Sequence, residues 1–159
     1  MDDVICNYSN SYKLSLDNNP GIKYPQSQYG FYADLPPIEG AIETVKSLIL
    51  DERYDPYILT APSELNPLSY TEKRVWIERY FGIGFVSKLI ICSNKGLLKG
   101  DILIDDHCEG KGQENFGGKL IHFGTSEYPN WIAVASKLAI NKPENPKRHL
   151  PEKSGKSYM

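Results

Sequence analysis

Short apolar runs alternate with helically spaced stretches along most of this chain. Ile38, Ala41, Ile42, Val45, Leu48 and Ile49 recur at helical spacing after Pro36-Pro37, which predicts a helix beginning there. Asp55-Pro56 breaks the pattern, and Tyr57-Ile58-Leu59-Thr60 reads as a short buried strand. A second helix is expected near Ser69, where Ser69-Tyr70-Thr71-Glu72 fits a capping box. It carries Val75, Trp76 and Tyr80 and stops at Gly82. Leu89–Cys92, Asp101–Ile104 and Leu120–Phe123 are further apolar runs, and a last helix starts near Asn130 with Trp131, Val134 and Leu138 on one face. Strands alternating with helices predict an α/β fold with a parallel sheet covered on both sides. Residues 9–37 are rich in Tyr, Asn, Ser, Pro and Gly and read as irregular structure with little helix. From Asn141 the chain is rich in Pro and Lys and reads as an extended or mobile tail.

Composition narrows the classes. The chain has 159 residues, which favours one domain with a small insertion, and 40% apolar content suffices for a core. A net charge of −2 argues against binding a nucleic-acid polymer. There is no apolar run of about 18 residues to cross a membrane and no signal-peptide pattern at the start, so a cytoplasmic protein is expected. Cys6, Cys92 and Cys108 show no paired spacing and read as reduced, core-lining thiols.

The densest chemistry lies between Lys95 and Asp106. Asp105-Asp106 ends the run Ile102-Leu103-Ile104, ten residues after Lys95. Open α/β sheets place their chemistry at the C-terminal ends of strands. A carboxylate pair beside a cation suits Mg²⁺ and a phosphate. Asp2-Asp3 precedes the apolar pair Val4-Ile5, and Thr60 ends a strand before Ala61-Pro62-Ser63. A parallel sheet would bring these strand ends to one edge. There a Thr hydroxyl and backbone N–H groups can hold phosphate oxygens, and a Lys can neutralise the transferring phosphoryl group. His107, His122 and His149 lack ligand spacing and read as structural or surface residues. Gly82-Ile83-Gly84 follows a helix and is a helix stop. Ser154-Gly155-Lys156-Ser157 lacks the first glycine of a P-loop.

The order acid pair, Thr, Lys, acid pair resembles the haloacid dehalogenase-like phosphatases, and among them the 5'(3')-deoxyribonucleotidases. The pieces that carry the resemblance are Met1–Val4, Leu35–Ala41, Leu59–Pro62, Glu72–Gly82 and Lys95–Asp106. The resemblance implies a Rossmann-like three-layer α/β/α parallel sheet over residues 1–140, with a small cap within 9–37. It implies Mg²⁺-dependent hydrolysis of nucleoside monophosphates, deoxyribonucleotides above all, through an aspartyl-phosphate. On this resemblance Asp2 is the general acid and base, and its backbone carbonyl binds Mg²⁺. Thr60, Ala61, Lys73 and Lys95 hold the phosphate, and Asp105 and Asp106 serve the metal. Family members are often homodimers.

The resemblance places the attacking Asp immediately before Met1, together with a central strand that leads into it. This implies either a start assigned late or a catalytically inactive homologue that binds nucleotide or phosphate. The first is favoured because every other site residue is present. Asp3 is not expected to replace the attacking Asp. Glu64 stands where the nucleotidases often have a basic phosphate contact, and Asn7 replaces a frequent Asp. Tyr24, Tyr29, Phe31 and Tyr32 are available to stack on a base or to pack the cap. A phospho-acceptor receiver domain uses similar residues but needs an Asp before the Thr, which Tyr57–Thr60 lacks.

Overall fold

A computed structural model describes residues 1–140; the tail, His149 and the Ser154–Ser157 motif lie outside the described residues. The helices are α1 (Tyr8–Asn18), α2 (Ala41–Leu50), α3 (Ser69–Phe81) and α4 (Trp131–Lys137). The strands are β1 (Ile58–Thr60), β2 (Leu89–Ile91), β3 (Ile102–Asp105) and β4 (Lys119–His122). Short 3-10 turns lie between several of these elements.

The predicted strands are present and their pairing is parallel, giving a mixed α/β structure. They form two separate pairs among the described residues. Ile58 to Thr60 of β1 lie opposite Leu89 to Ile91 of β2. Ile102 to Asp105 of β3 lie opposite Lys119 to His122 of β4. A cavity of about 750 Å³ is lined by Ile58 and Leu59 of β1, Ile102 and Ile104 of β3, Met1 and Trp131.

Helix α1 departs from the sequence expectation of irregular structure. Its half-buried positions are Tyr8, Ser11, Tyr12, Ser15 and Leu16, a helical face whose two serines hide the apolar period. The Asp3 carboxylate accepts from the Ser9 backbone N–H at 2.8 Å and from its hydroxyl at 2.5 Å. A negative charge at a helix N-terminus offsets the unpaired N–H groups there. Asp3 itself has φ 50°, a left-handed conformation that Asp tolerates.

Helix α3 begins where expected, but not through a capping box. The Leu68 N–H donates to Asn66 Oδ1 at 2.8 Å, and Ser69 Oγ accepts from the Ser63 N–H at 3.0 Å. Glu72 points elsewhere, as shown below. The stop at Gly82 holds, with φ 84° at that residue. Helix α4 starts as predicted, with Asn130 Oδ1 accepting from the Ile132 and Ala133 N–H groups, both at 3.1 Å.

One core cluster gathers Val4, Ile5, Cys6, Val45, Trp76, Ile77, Phe123, Trp131 and Val134 with their neighbours. Two indoles satisfy buried carbonyls: Trp76 Nε1 donates to Leu35 O and Trp131 Nε1 to Val4 O, each at 2.7 Å. Trp131 also abuts Gly40, where an added Cβ would lie 3.3 Å from the Trp131 Cβ. Of the three cysteines, only Cys6 is buried; Cys92 is half-buried and Cys108 is exposed, so the core-lining expectation holds for one. Phe lacks the indole donor, so Trp131→Phe strands the Val4 carbonyl. Urea denaturation of this variant is expected to show a stability loss of about 1–3 kcal/mol; an unchanged midpoint would contradict the role assigned to that hydrogen bond.

Candidate active site

Ser69, Glu72, Lys73, Trp76 and Ile77 make up the buried face of α3, which places two charged residues inside. Lys73 is 1% exposed, so its ammonium must be met by acceptors. It donates to Asp2 Oδ2 at 2.6 Å, to Thr60 Oγ1 at 2.8 Å and to Ala61 O at 2.6 Å. These use all three ammonium protons. Helix α3, the opening turn and the end of β1 thus meet at one nitrogen. The Tyr32 ring centroid lies 4.8 Å from the same nitrogen.

A second ion pair lies at the end of β3. Lys95 sits in a 3-10 turn just after β2, where Asn94 Oδ1 accepts from the Gly96 N–H at 3.0 Å. A Cβ at Gly96 would come within 2.8 Å of Gly112 O, so the turn needs glycine there. Lys95 Nζ donates to Asp105 Oδ2, and both side chains are buried. Asp105 Oδ1 accepts from Gln113 Nε2 at 3.0 Å and from the His107 N–H at 3.2 Å. Burial alone would push the Asp105 carboxyl up; the bonds from Lys95, Gln113 and His107 outweigh it and hold the group below its usual range. Asp106 is half-buried, with its Oδ2 3.2 Å from Nε2 of the exposed His107. Burial, aided by the Asp105 charge and opposed by His107, pushes the Asp106 carboxyl above its ordinary value.

Asp2, Thr60, Ala61 and Lys73 therefore form one contact set, and Lys95 and Asp105 another. Thr60 lies opposite Ile91 of β2, and the Cys92 N–H donates to Thr60 O at 2.9 Å, three residues before Lys95, so both sets sit at the end of the β1–β2 pair. Asp3 faces α1, not Lys73. Glu64 is exposed. Tyr29 is 89% exposed, whereas Tyr32 is buried. Sequence reasoning missed Gln113, whose only signal is a polar residue soon after the acid pair. It also missed the inward direction of Glu72.

The oxygen donors of Asp105, Asp106 and the Asp2 carbonyl are the type that suits a hard cation. Asp106 has the carboxylate with fewest protein partners, which fits such a role. No three His, Cys, Asp or Glu side chains converge on a common point among the described residues. The Asp2 and Asp105 carboxylates are instead each engaged by a lysine. No helix among the described residues is long and apolar enough to cross a membrane.

Lys95→Met removes one partner of a buried pair, which costs about 3–5 kcal/mol. Asp105 has a lowered carboxyl pKa, so the pair's contribution is present above the unfolded carboxylate value and is lost as pH falls through the folded one. The variant is therefore expected to be destabilised at neutral pH, with the gap to wild type closing in acid. Denaturation curves at several pH values would reveal a constant gap if the ion pair were not its source.

Comparison with known proteins gives the chain its family. The family profile described as 5' nucleotidase, deoxy (pyrimidine), cytosolic type C matches residues 20–135. A protein of Vibrio phage KVP40, provisionally named a 5'(3')-deoxyribonucleotidase, is 38% identical over 129 residues, covering 81% of this chain and 69% of its own. The human cytosolic-type 5'(3')-deoxyribonucleotidase is 35% identical over 113 residues, 71% of this chain and 50% of that protein. The human mitochondrial 5'(3')-deoxyribonucleotidase is 33% identical over 84 residues, 53% of this chain and 37% of that protein. The match thus spans about two thirds of the phage protein and half or less of the human ones. With the profile running through most of its described residues, the chain belongs to the 5' nucleotidase, deoxy (pyrimidine), cytosolic type C family.

Proposed function

We propose that this chain carries the site of a Mg²⁺-dependent phosphomonoesterase acting on nucleoside monophosphates, deoxyribonucleotides above all. The observation that supports this most is the buried Lys73 ammonium joined to Asp2, Thr60 and Ala61, next to the Lys95–Asp105 pair. Two ammonium groups, a hydroxyl and strand-end N–H groups suit a phosphate dianion. The relatives' names agree with that ligand. On this reading residues 1–140 make up a haloacid dehalogenase-like three-layer core with its cap in 9–37.

The chemistry follows from the placement. A carboxylate standing just before Met1 attacks phosphorus as the bond to the leaving oxygen breaks. Asp2, which accepts from Lys73 as a carboxylate, must first take up a proton; it gives that proton to the leaving oxygen and regains one from the water that displaces the attacking carboxylate and releases phosphate. Thr60 and the Ala61 backbone orient the phosphoryl oxygens, and Lys73 and Lys95 offset their charge. Asp105, Asp106 and the Asp2 carbonyl would hold Mg²⁺, whose charge stabilises the phosphoryl oxygens. Lys95 and Gln113 fix the Asp105 carboxylate for that task.

The test is phosphate release from nucleoside monophosphates with Mg²⁺, from the chain as given and from one extended upstream with an Asp before Met1. Release is expected in the extended form and is expected to stop on chelation. Asp105→Asn and Thr60→Val should each cost on the order of 100-fold or more in kcat. Full activity in Asp105→Asn would sink this assignment. Nucleotide binding without turnover in the extended chain would replace it with the binding-only reading.

A further inference from the structure

Glu72 is buried, and both carboxylate oxygens are spent on main-chain N–H groups of a distant segment. Oε1 accepts from Gly30 at 2.8 Å and Oε2 from Tyr32 at 3.0 Å. No ammonium or guanidinium pairs with it among the described residues. A buried carboxylate is costly unless well bonded, so this one depends on those two N–H groups.

Two more α3 side chains grip the same stretch of backbone. Trp76 Nε1 donates to Leu35 O at 2.7 Å, and Arg79 donates to Ala33 O at 2.6 Å. Positions 72, 76 and 79 share a helical face. Lys73, the next residue after Glu72, reaches instead to the Asp2–Thr60 cluster. One helix therefore holds the 30–35 segment with one face and the proposed phosphate site with the adjoining side chain. Tyr32 closes the loop between them. Its N–H is bound by Glu72, and its ring lies over the Lys73 ammonium. Tyr8, Phe31 and Tyr32 form a continuous aromatic wall, with centroids 5.3 to 6.0 Å apart.

We propose that Glu72 is a positioning residue that sets this aromatic wall relative to the Lys73 site, and so governs affinity for the nucleoside part of the ligand separately from its phosphate. This rests on the phosphate-site reading above. The isosteric variant Glu72→Gln keeps one oxygen and turns an NH₂ against the second N–H donor. Glu72→Asp keeps both oxygens on a shorter stem.

The experiment is calorimetric titration of the wild-type chain and both variants with thymidine 5'-monophosphate and, separately, with inorganic phosphate. Wild type is expected to bind the nucleotide more tightly than phosphate. Glu72→Gln should lose about tenfold in nucleotide affinity, the scale of one charge-assisted hydrogen bond, while phosphate affinity stays within about twofold. Glu72→Asp should recover part of the loss. Equal losses for both ligands, or no loss for either, would overturn the proposal and leave Glu72 a fold residue. A wild type that binds phosphate but shows no preference for the nucleotide overturns it too, with the phosphate site intact. A wild type that binds neither overturns the site reading and this inference together.

Discussion

The buried Lys73 ammonium is the constraint around which the site is arranged. A charge with 1% exposure has no recourse to water, so three acceptors from two distant parts of the chain must stay within hydrogen-bond reach. They are the Asp2 carboxylate, the Thr60 hydroxyl and the Ala61 carbonyl. Meeting that demand fixes where α3 lies against the end of β1 and why the opening turn folds back over both. The Lys95–Asp105 pair solves the same problem at the end of β3, with Gln113 and the His107 N–H filling the remaining acceptor positions. The site and the packing of the surrounding elements are therefore one electrostatic solution. Removing either lysine disturbs both.

Much of this was legible because it depends on local pattern. Strand ends marked by Thr60 and Asp105, the Gly82 stop and the Asn130 cap are set by residues close in sequence. The misses arise where distant contacts override the local signal. Ser69 to Glu72 has the letters of a capping box, but Asn66 already serves the Leu68 N–H, which frees Glu72 to reach residues 30 and 32. Helix α1 escaped notice because serines occupy half-buried positions and the N-terminal charge comes from Asp3, five residues before the helix begins at Tyr8. Gln113 carries no pattern at all; only the folded loop brings it to Asp105. One sheet was expected, and two parallel pairs are observed, since strand count can be read from apolar runs but ladder partners cannot.

The aromatic content has a similar split. Trp76 and Trp131 are core residues, as their spacing suggested, yet each also ends a polar task by satisfying a backbone carbonyl. Tyr32 is both packing and polar contact, with its ring against Lys73 and its N–H bonded to Glu72. Periodicity reports only the first of these roles.

The division of the strands into β1–β2 and β3–β4 bears on how the molecule breathes. No ladder joins the pairs among the described residues, so each is a candidate cooperative unit with its own opening equilibrium. The boundary between them passes through the site. Thr60, with Lys73 and Asp2 attached, belongs to one unit; Asp105, with Asp106 and Gln113, belongs to the other. Besides the shared hydrophobic cluster, the Lys95 turn after β2 links across that boundary, through the Lys95–Asp105 bond and through the Lys95 N–H, which donates to Lys111 O at 2.7 Å in the loop after β3. A fluctuation that parts the two units would separate Thr60, Lys73 and Asp2 from Asp105, Asp106 and Gln113 before it unravels either strand pair.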